Sequence, residues 1–69
     1  MEDKQKICDL LCKTLQATRD HYDLVALRYI RISEDREEVE IEWEGVTQKV
    51  NVSLDSGVAM IRDIMKVMR

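Results

Sequence analysis

The chain has 69 residues, enough for one small domain spanning residues 1–69, with 11 Lys and Arg against 14 Asp and Glu and a formal net charge of −3. At 45% apolar residues it is too apolar for a disordered chain, and no apolar run approaches the roughly 18 residues of a membrane span. Without proline, and with only Tyr22, Tyr29 and Trp43 as aromatic residues, it has little room for long irregular loops or a large aromatic ligand site. The opening MEDKQKICDL carries no basic segment followed by an apolar run and no small-residue cleavage site, so a cytoplasmic protein is expected. Beginning at Met1 with no tag-like tract, the sequence is expected to be a complete small open reading frame.

Residues 3–19 place Ile7, Leu10, Leu11, Thr14, Leu15 and Thr18 at the spacing of one helical face, with Asp3, Lys4, Lys6, Asp9, Lys13 and Gln16 mostly elsewhere. The spacing predicts an amphipathic helix. Glu2 and Asp3 stand where the helix dipole favours negative charge, and Arg19 lies near the end that favours a cation. Cys8 and Cys12, four residues apart on this helix, have poor geometry for bonding to each other and are read as buried thiols.

After Asp20-His21-Tyr22-Asp23 the run LVALRYIRI is rich in β-branched and bulky residues and predicts a strand over 24–32. Strict alternation gives two awkward facings. One puts Val25, Leu27 and Tyr29 inward with Ile30 and Ile32 exposed; the other puts Ala26, Ile30 and Ile32 inward with Arg28 among them. A bulge at Arg28–Tyr29 would let Val25, Leu27, Ile30 and Ile32 share the inner face, and that is the expectation adopted. As an edge strand with few charges, this segment also offers a route to pairing between chains.

Beyond the polar turn Ser33-Glu34-Asp35-Arg36, EVEIEWE alternates without error, with Val39, Ile41 and Trp43 on one face and Glu38, Glu40, Glu42 and Glu44 on the other. Glu44-Gly45 reads as a tight hairpin connection, Gly45 being free to take a positive φ. Pairing Trp43 with Val46 puts Glu42 beside Thr47, Glu40 beside Lys49, Val39 beside Val50 and Glu38 beside Asn51, with no two acidic residues directly opposed. Asp55 is the expected N-cap of a second helix running to Arg69, with Val58, Ile61, Ile64, Met65 and Met68 facing inward and Lys66 and Arg69 suited to its C-terminal end. The fold class is therefore α+β: a two-layer sandwich in the order α-β-β-β-α, with a three-stranded antiparallel meander and both helices on one face.

Chemistry is constrained mainly by exclusion. His21 is the single histidine, and the sequence has no nucleophile-elbow motif, glycine-rich phosphate loop or HExxH. No catalytic residues, cofactor or metal are assigned, and the protein is not expected to be an enzyme. Cys8, Cys12 and His21 would supply at most three metal ligands, at a spacing unlike that of zinc knuckles. His21 is read as a surface residue at a helix end.

The row Glu38, Glu40, Glu42 and Glu44 repeats a carboxylate about every 6.7 Å. It is a candidate partner-binding face, either as a salt-bridged protein interface or as a mimic of phosphates that occupies a basic groove. A DNA strand carries a charge every ~3.4 Å, twice as densely, and Lys49 with Arg28 or Arg31 would stand beside the row as counter-charges.

The helix–strand–strand–strand–helix order resembles double-stranded RNA-binding domains in topology across most of the chain. The basic clamp that this resemblance implies, with lysines at the start of the second helix on phosphates, meets Asp55-Ser56-Gly57-Val58-Ala59-Met60 here. With a net charge of −3, the sequence argues against nucleic acid as partner.

The second helix is apolar at eight positions between 58 and 68: Val58, Ala59, Met60, Ile61, Ile64, Met65, Val67 and Met68. That stripe is wider than a core-facing helix requires. Met60, Ile64, Val67 and Met68 are therefore the candidate residues of a dimer or partner contact, with Met60, Ile64 and Val67 packing on the first helix as the alternative. A 69-residue core is marginal, and oligomerisation is a common remedy. The functional expectation is a small non-catalytic interaction or regulatory protein that acts by binding another protein, with a homodimer as one form of that binding.

Overall fold

A computed structural model describes residues 2–68. In chain order it contains α1 (Lys4–Gln16), β1 (Leu24–Ser33), β2 (Arg36–Trp43), β3 (Val46–Asn51) and α2 (Gly57–Val67). The strands form one antiparallel sheet in the order β1-β2-β3, and both helices lie on one of its faces. Cys8, Cys12, Leu15, Leu24, Leu27, Val39, Ile41, Val50, Val52, Met60, Ile64 and Met68 join there in a single core. The α-β-β-β-α sandwich is thus the observed architecture, and Arg69 lies outside the described residues.

Asp3 caps α1, its carboxylate accepting the Lys6 amide at 3.0 Å. The helix stops at Gln16 rather than 19 because the Thr18 amide turns to the Leu15 carbonyl at 2.9 Å, tightening the last turn. Its buried stripe is Cys8, Cys12 and Leu15, flanked by half-buried Ile7 and Leu11, so it is rotated from the predicted face. Leu10, Thr14 and Thr18 are exposed. Both threonine hydroxyls are satisfied on the chain itself, Thr14 donating to the Leu10 carbonyl and Thr18 to that of Leu15, while the small cysteines let α1 approach β1.

The bulge in β1 lies elsewhere than expected. Arg28 and Tyr29 pair regularly with Glu40 and Val39, and the register instead shifts between Leu24 and Ala26 and again between Arg31 and Ser33. The first irregularity brings Leu24 and Leu27, three residues apart, onto the same inner face. Tyr29 follows at the regular spacing, while Ile30 lies opposite Glu38 on the outer face and Val25 and Ile32 are exposed.

The β2–β3 register is the predicted one at every pair, from Trp43–Val46 to Glu38–Asn51. Glu44 and Gly45 both have positive φ, 55° and 74°, as a type I′ hairpin requires. Glutamate is a poor residue for the first of these positions and asparagine a good one. Glu44→Asn should therefore stabilise the fold by about 0.5–1 kcal/mol, seen as a higher urea midpoint with an unchanged slope.

Ser56, not Asp55, caps α2, its hydroxyl accepting the Ala59 amide at 3.2 Å. The Asp55 carboxyl lies against Asp63 instead. That contact and its burial push its pKa up from the ordinary value. A second anchor comes from the start of the chain, where the Glu2 carboxylate accepts the Gly57 amide at 2.9 Å, at the positive end of the α2 dipole.

Candidate functional site

The outer face of the sheet is the surface left bare by the helices. Along β2, Glu42 sits between Ala26 and Thr47, Glu40 between Arg28 and Lys49, and Glu38 between Ile30 and Asn51. Arg28 bridges two of these carboxylates, its Nη1 lying 3.2 Å from Glu40 Oε1 and its Nη2 2.9 Å from Glu42 Oε1. The three strand glutamates are half-buried by their neighbours. Glu44 leaves the row: it occupies the hairpin turn with positive φ, where its side chain no longer follows the strand alternation. The face is therefore a mixed patch of three glutamates with Arg28 and Lys49, its negative charge partly neutralised from within the sheet.

The candidate apolar face does not form a surface. Met60, Ile64 and Met68 are fully buried at 0% exposure, and of the four only Val67, at 40%, reaches solvent. The helix faces the sheet with the stripe 60, 64, 68, at spacing four, so the residues assigned to a partner are the core contacts of α2. Val58, expected inside, is exposed, and Ile61 and Met65 are half-buried.

The edge of β1 is closed by α1. The Gln5 side-chain amide accepts the Tyr29 amide at 2.9 Å and donates toward the Leu27 carbonyl at 3.4 Å, taking the place of a strand's peptide group. Gln16 donates to the Leu24 carbonyl at 2.8 Å, and the Cys12 thiol points at the Val25 carbonyl at 3.9 Å. Over Leu24–Tyr29, the route to chain pairing that the sequence of β1 offered is occupied by these side chains.

A junction that sequence reading passed over is built on Glu37. It is buried on the inner face, two residues before Val39, and continues the alternation of Val39, Ile41 and Trp43. Its carboxylate accepts Lys4 Nζ at 2.8 Å, the Tyr29 hydroxyl, and the Leu54 amide at 3.2 Å. Its own amide donates to the Ser53 hydroxyl at 2.9 Å, and its carbonyl accepts the Val52 amide at 3.0 Å. The hydrogen bonds from Lys4 and Tyr29 hold its pKa down at about 2. Leu54 has a positive φ of 62°, unusual for a bulky residue, and the hydrogen bond its amide donates to the Glu37 carboxylate holds that turn in place. Lys4 also lies 5.8 Å from the Tyr29 ring centre. Beside the junction is an open depression of about 680 Å³, with Glu2, Glu34 and Asp55 facing Lys4 and Arg31. With Asp3 and Glu37 also in its lining, carboxylates outnumber the two cations. The signal that could have revealed Glu37 was parity: extending the period-two pattern one step back places a carboxylate inside.

Cys8 and Cys12 are free and buried. Burial pushes the Cys8 thiol up to about 11 and raises that of Cys12, the reverse of the shift that activates a nucleophile. His21 packs edge-on against Trp43, ring centres 5.0 Å apart, and Trp43 Nε1 donates to Asp23 at 2.7 Å. Among the described residues no three His, Cys, Asp or Glu side chains converge as metal ligands, and no helix is long and apolar enough to cross a membrane. No protein-family model matches the chain, and comparison with curated proteins and with solved structures finds no match.

Proposed function

We propose that the protein is a non-catalytic binding module that recognises another protein through the outer face of its sheet. The observation that carries this reading is the one-sided core: both helices cover the inner face, leaving Glu38, Glu40 and Glu42 with Arg28 and Lys49 as a flat charged surface. Glu38 has no ion pair among the described residues, so it is the carboxylate most open to a partner's cation. The Arg28 bridge favours a salt-bridged protein interface over imitation of a phosphate row, because two of the three carboxylates already share a guanidinium. The partner that fits presents basic side chains spaced to meet Glu38 and acidic ones to meet Lys49.

The test is affinity capture from the native cells with the wild-type chain, Glu38→Lys, and the double variant Glu40→Lys with Glu42→Lys, each verified as folded by circular dichroism. A protein partner retained by wild type, weakened by raised salt and lost with the charge reversals is the expected result. An unchanged set of captured proteins would overturn the proposal.

A further inference from the structure

The two edges of the sheet are finished differently, and the difference concerns β3. Glu44 and Gly45 close a type I′ turn, so Trp43 and Val46 form a hydrogen-bonded pair. Bonded pairs recur at Ile41–Gln48 and Val39–Val50, and the Val52 amide bond to the Glu37 carbonyl continues the series. The backbone groups of Thr47, Lys49 and Asn51 consequently point away from β2. Among the described residues no strand lies beyond β3, and Val46, Thr47, Gln48 and Lys49 are all exposed.

We propose that this edge pairs with the same edge of a second copy of the chain, antiparallel, about a two-fold axis at Gln48. Outward-pointing groups at odd positions must meet odd positions of the other copy, which leaves axes at Thr47, Gln48, Lys49 or Val50; the last runs its outer pair, Thr47 with Ser53, past the end of β3 into the turn before α2 and leaves the exposed Val46 without a strand partner. An axis at Lys49 opposes the two lysines directly, which is destabilising. An axis at Thr47 spends its outer pairs on Gly45, already bent into the turn. An axis at Gln48 pairs Thr47 with Lys49 of the second copy and Lys49 with its Thr47, giving about four backbone hydrogen bonds.

Charge selects this register. The outer face then reads Glu40, Lys49, Thr47 of the second copy, Glu42 of the second copy, so like charges never stand side by side. On the inner face Val46, 53% exposed in the single chain, meets Val50 of the second copy, and the two Gln48 amides face each other at the axis. Growth also stops there. The contact uses the β3 edge of both copies about a two-fold axis, and the far edges of the joined sheet, both β1, are occupied by Gln5 and Gln16 over Leu24–Tyr29, so it yields a closed dimer and not a filament. It is independent of any partner on the acidic face.

The experiment is light scattering or sedimentation equilibrium of the full chain over a wide concentration range. The apparent mass should rise about twofold and level off. Lys49→Pro removes an amide that points away from β2 and so spares the hairpin; Gln48→Glu sets two carboxylates against each other at the axis. Each should move the midpoint of association to at least about tenfold higher concentration, with the far-ultraviolet spectrum unchanged for Gln48→Glu, which decides the matter if Lys49→Pro does not fold. Gln48→Cys should give a disulfide-linked dimer in oxidised glutathione, because residues at the axis form a close non-bonded pair. A chain that stays monomeric throughout, a dimer that Gln48→Glu does not weaken, or a mass that climbs past twofold would each overturn the proposal.

Discussion

Glu37→Gln should destabilise the fold by about 2–3 kcal/mol, a large share of what a domain of this size possesses. The substitution keeps the shape but removes the charge that Lys4 approaches at 2.8 Å, and it leaves a lysine beside a neutral amide in a site largely closed to water. It also weakens the hold on the Leu54 amide, and with it the turn that leads into α2. Tyr29→Phe removes one donor and should cost about 1 kcal/mol. The pH dependence has a definite sign. Glu37 titrates at about 2 in the folded chain against an ordinary 4.5, so the unfolded chain binds the proton first. Its contribution is complete above about 4.5 and is lost as pH falls from there toward 2. Urea unfolding of wild type across that window should show stability falling, and Glu37→Gln should lack that part of the slope. Parallel profiles for the two proteins would remove Glu37 from its role as the junction of α1, β1 and the β3–α2 turn.

Glu37 also marks where the sequence stopped being legible. The β2–β3 hairpin could be read to the residue because strict alternation and a glycine turn leave only one register that buries Val39 and Ile41 together. Nothing comparable constrained β1, where hydrophobic residues occupy both parities and a bulge can be placed at several points. What fixed it was the partner strand: Leu27 opposite Ile41 and Tyr29 opposite Val39, with the Tyr29 hydroxyl drawn to Glu37. Helix facing failed for a related reason. α1 buries two cysteines and uses Gln5 and Gln16 on the edge of β1, so its polar residues carry as much positional information as its leucines, and a hydrophobicity pattern does not register them. The outer-face glutamates were visible as a row, but their pairing with Arg28 depended on the β1 register and so became visible only in three dimensions.

On α2 the ambiguity was between two apolar stripes, and unfolding measurements distinguish them sharply. Ile64→Ala should cost about 2–5 kcal/mol, since it empties a fully buried site whose neighbours come from several elements and can only partly collapse. For a 69-residue chain that approaches complete loss of the folded state at room temperature. Val67→Ser, at the border of the buried stripe and 40% exposed, should change stability by no more than about 0.5 kcal/mol. Met60→Leu, which conserves volume, should fall between them at under about 1.5 kcal/mol. The ordering follows from the spacing of the buried residues: 60, 64 and 68 are each four apart and share one line along the helix, whereas 67 is rotated about 60° from 64 and clears the edge of the core. A denaturation series in which Val67→Ser is the costly change and Ile64→Ala the mild one would mean that α2 presents its other stripe to the sheet, and Met60, Ile64 and Met68 would then be available to a partner after all.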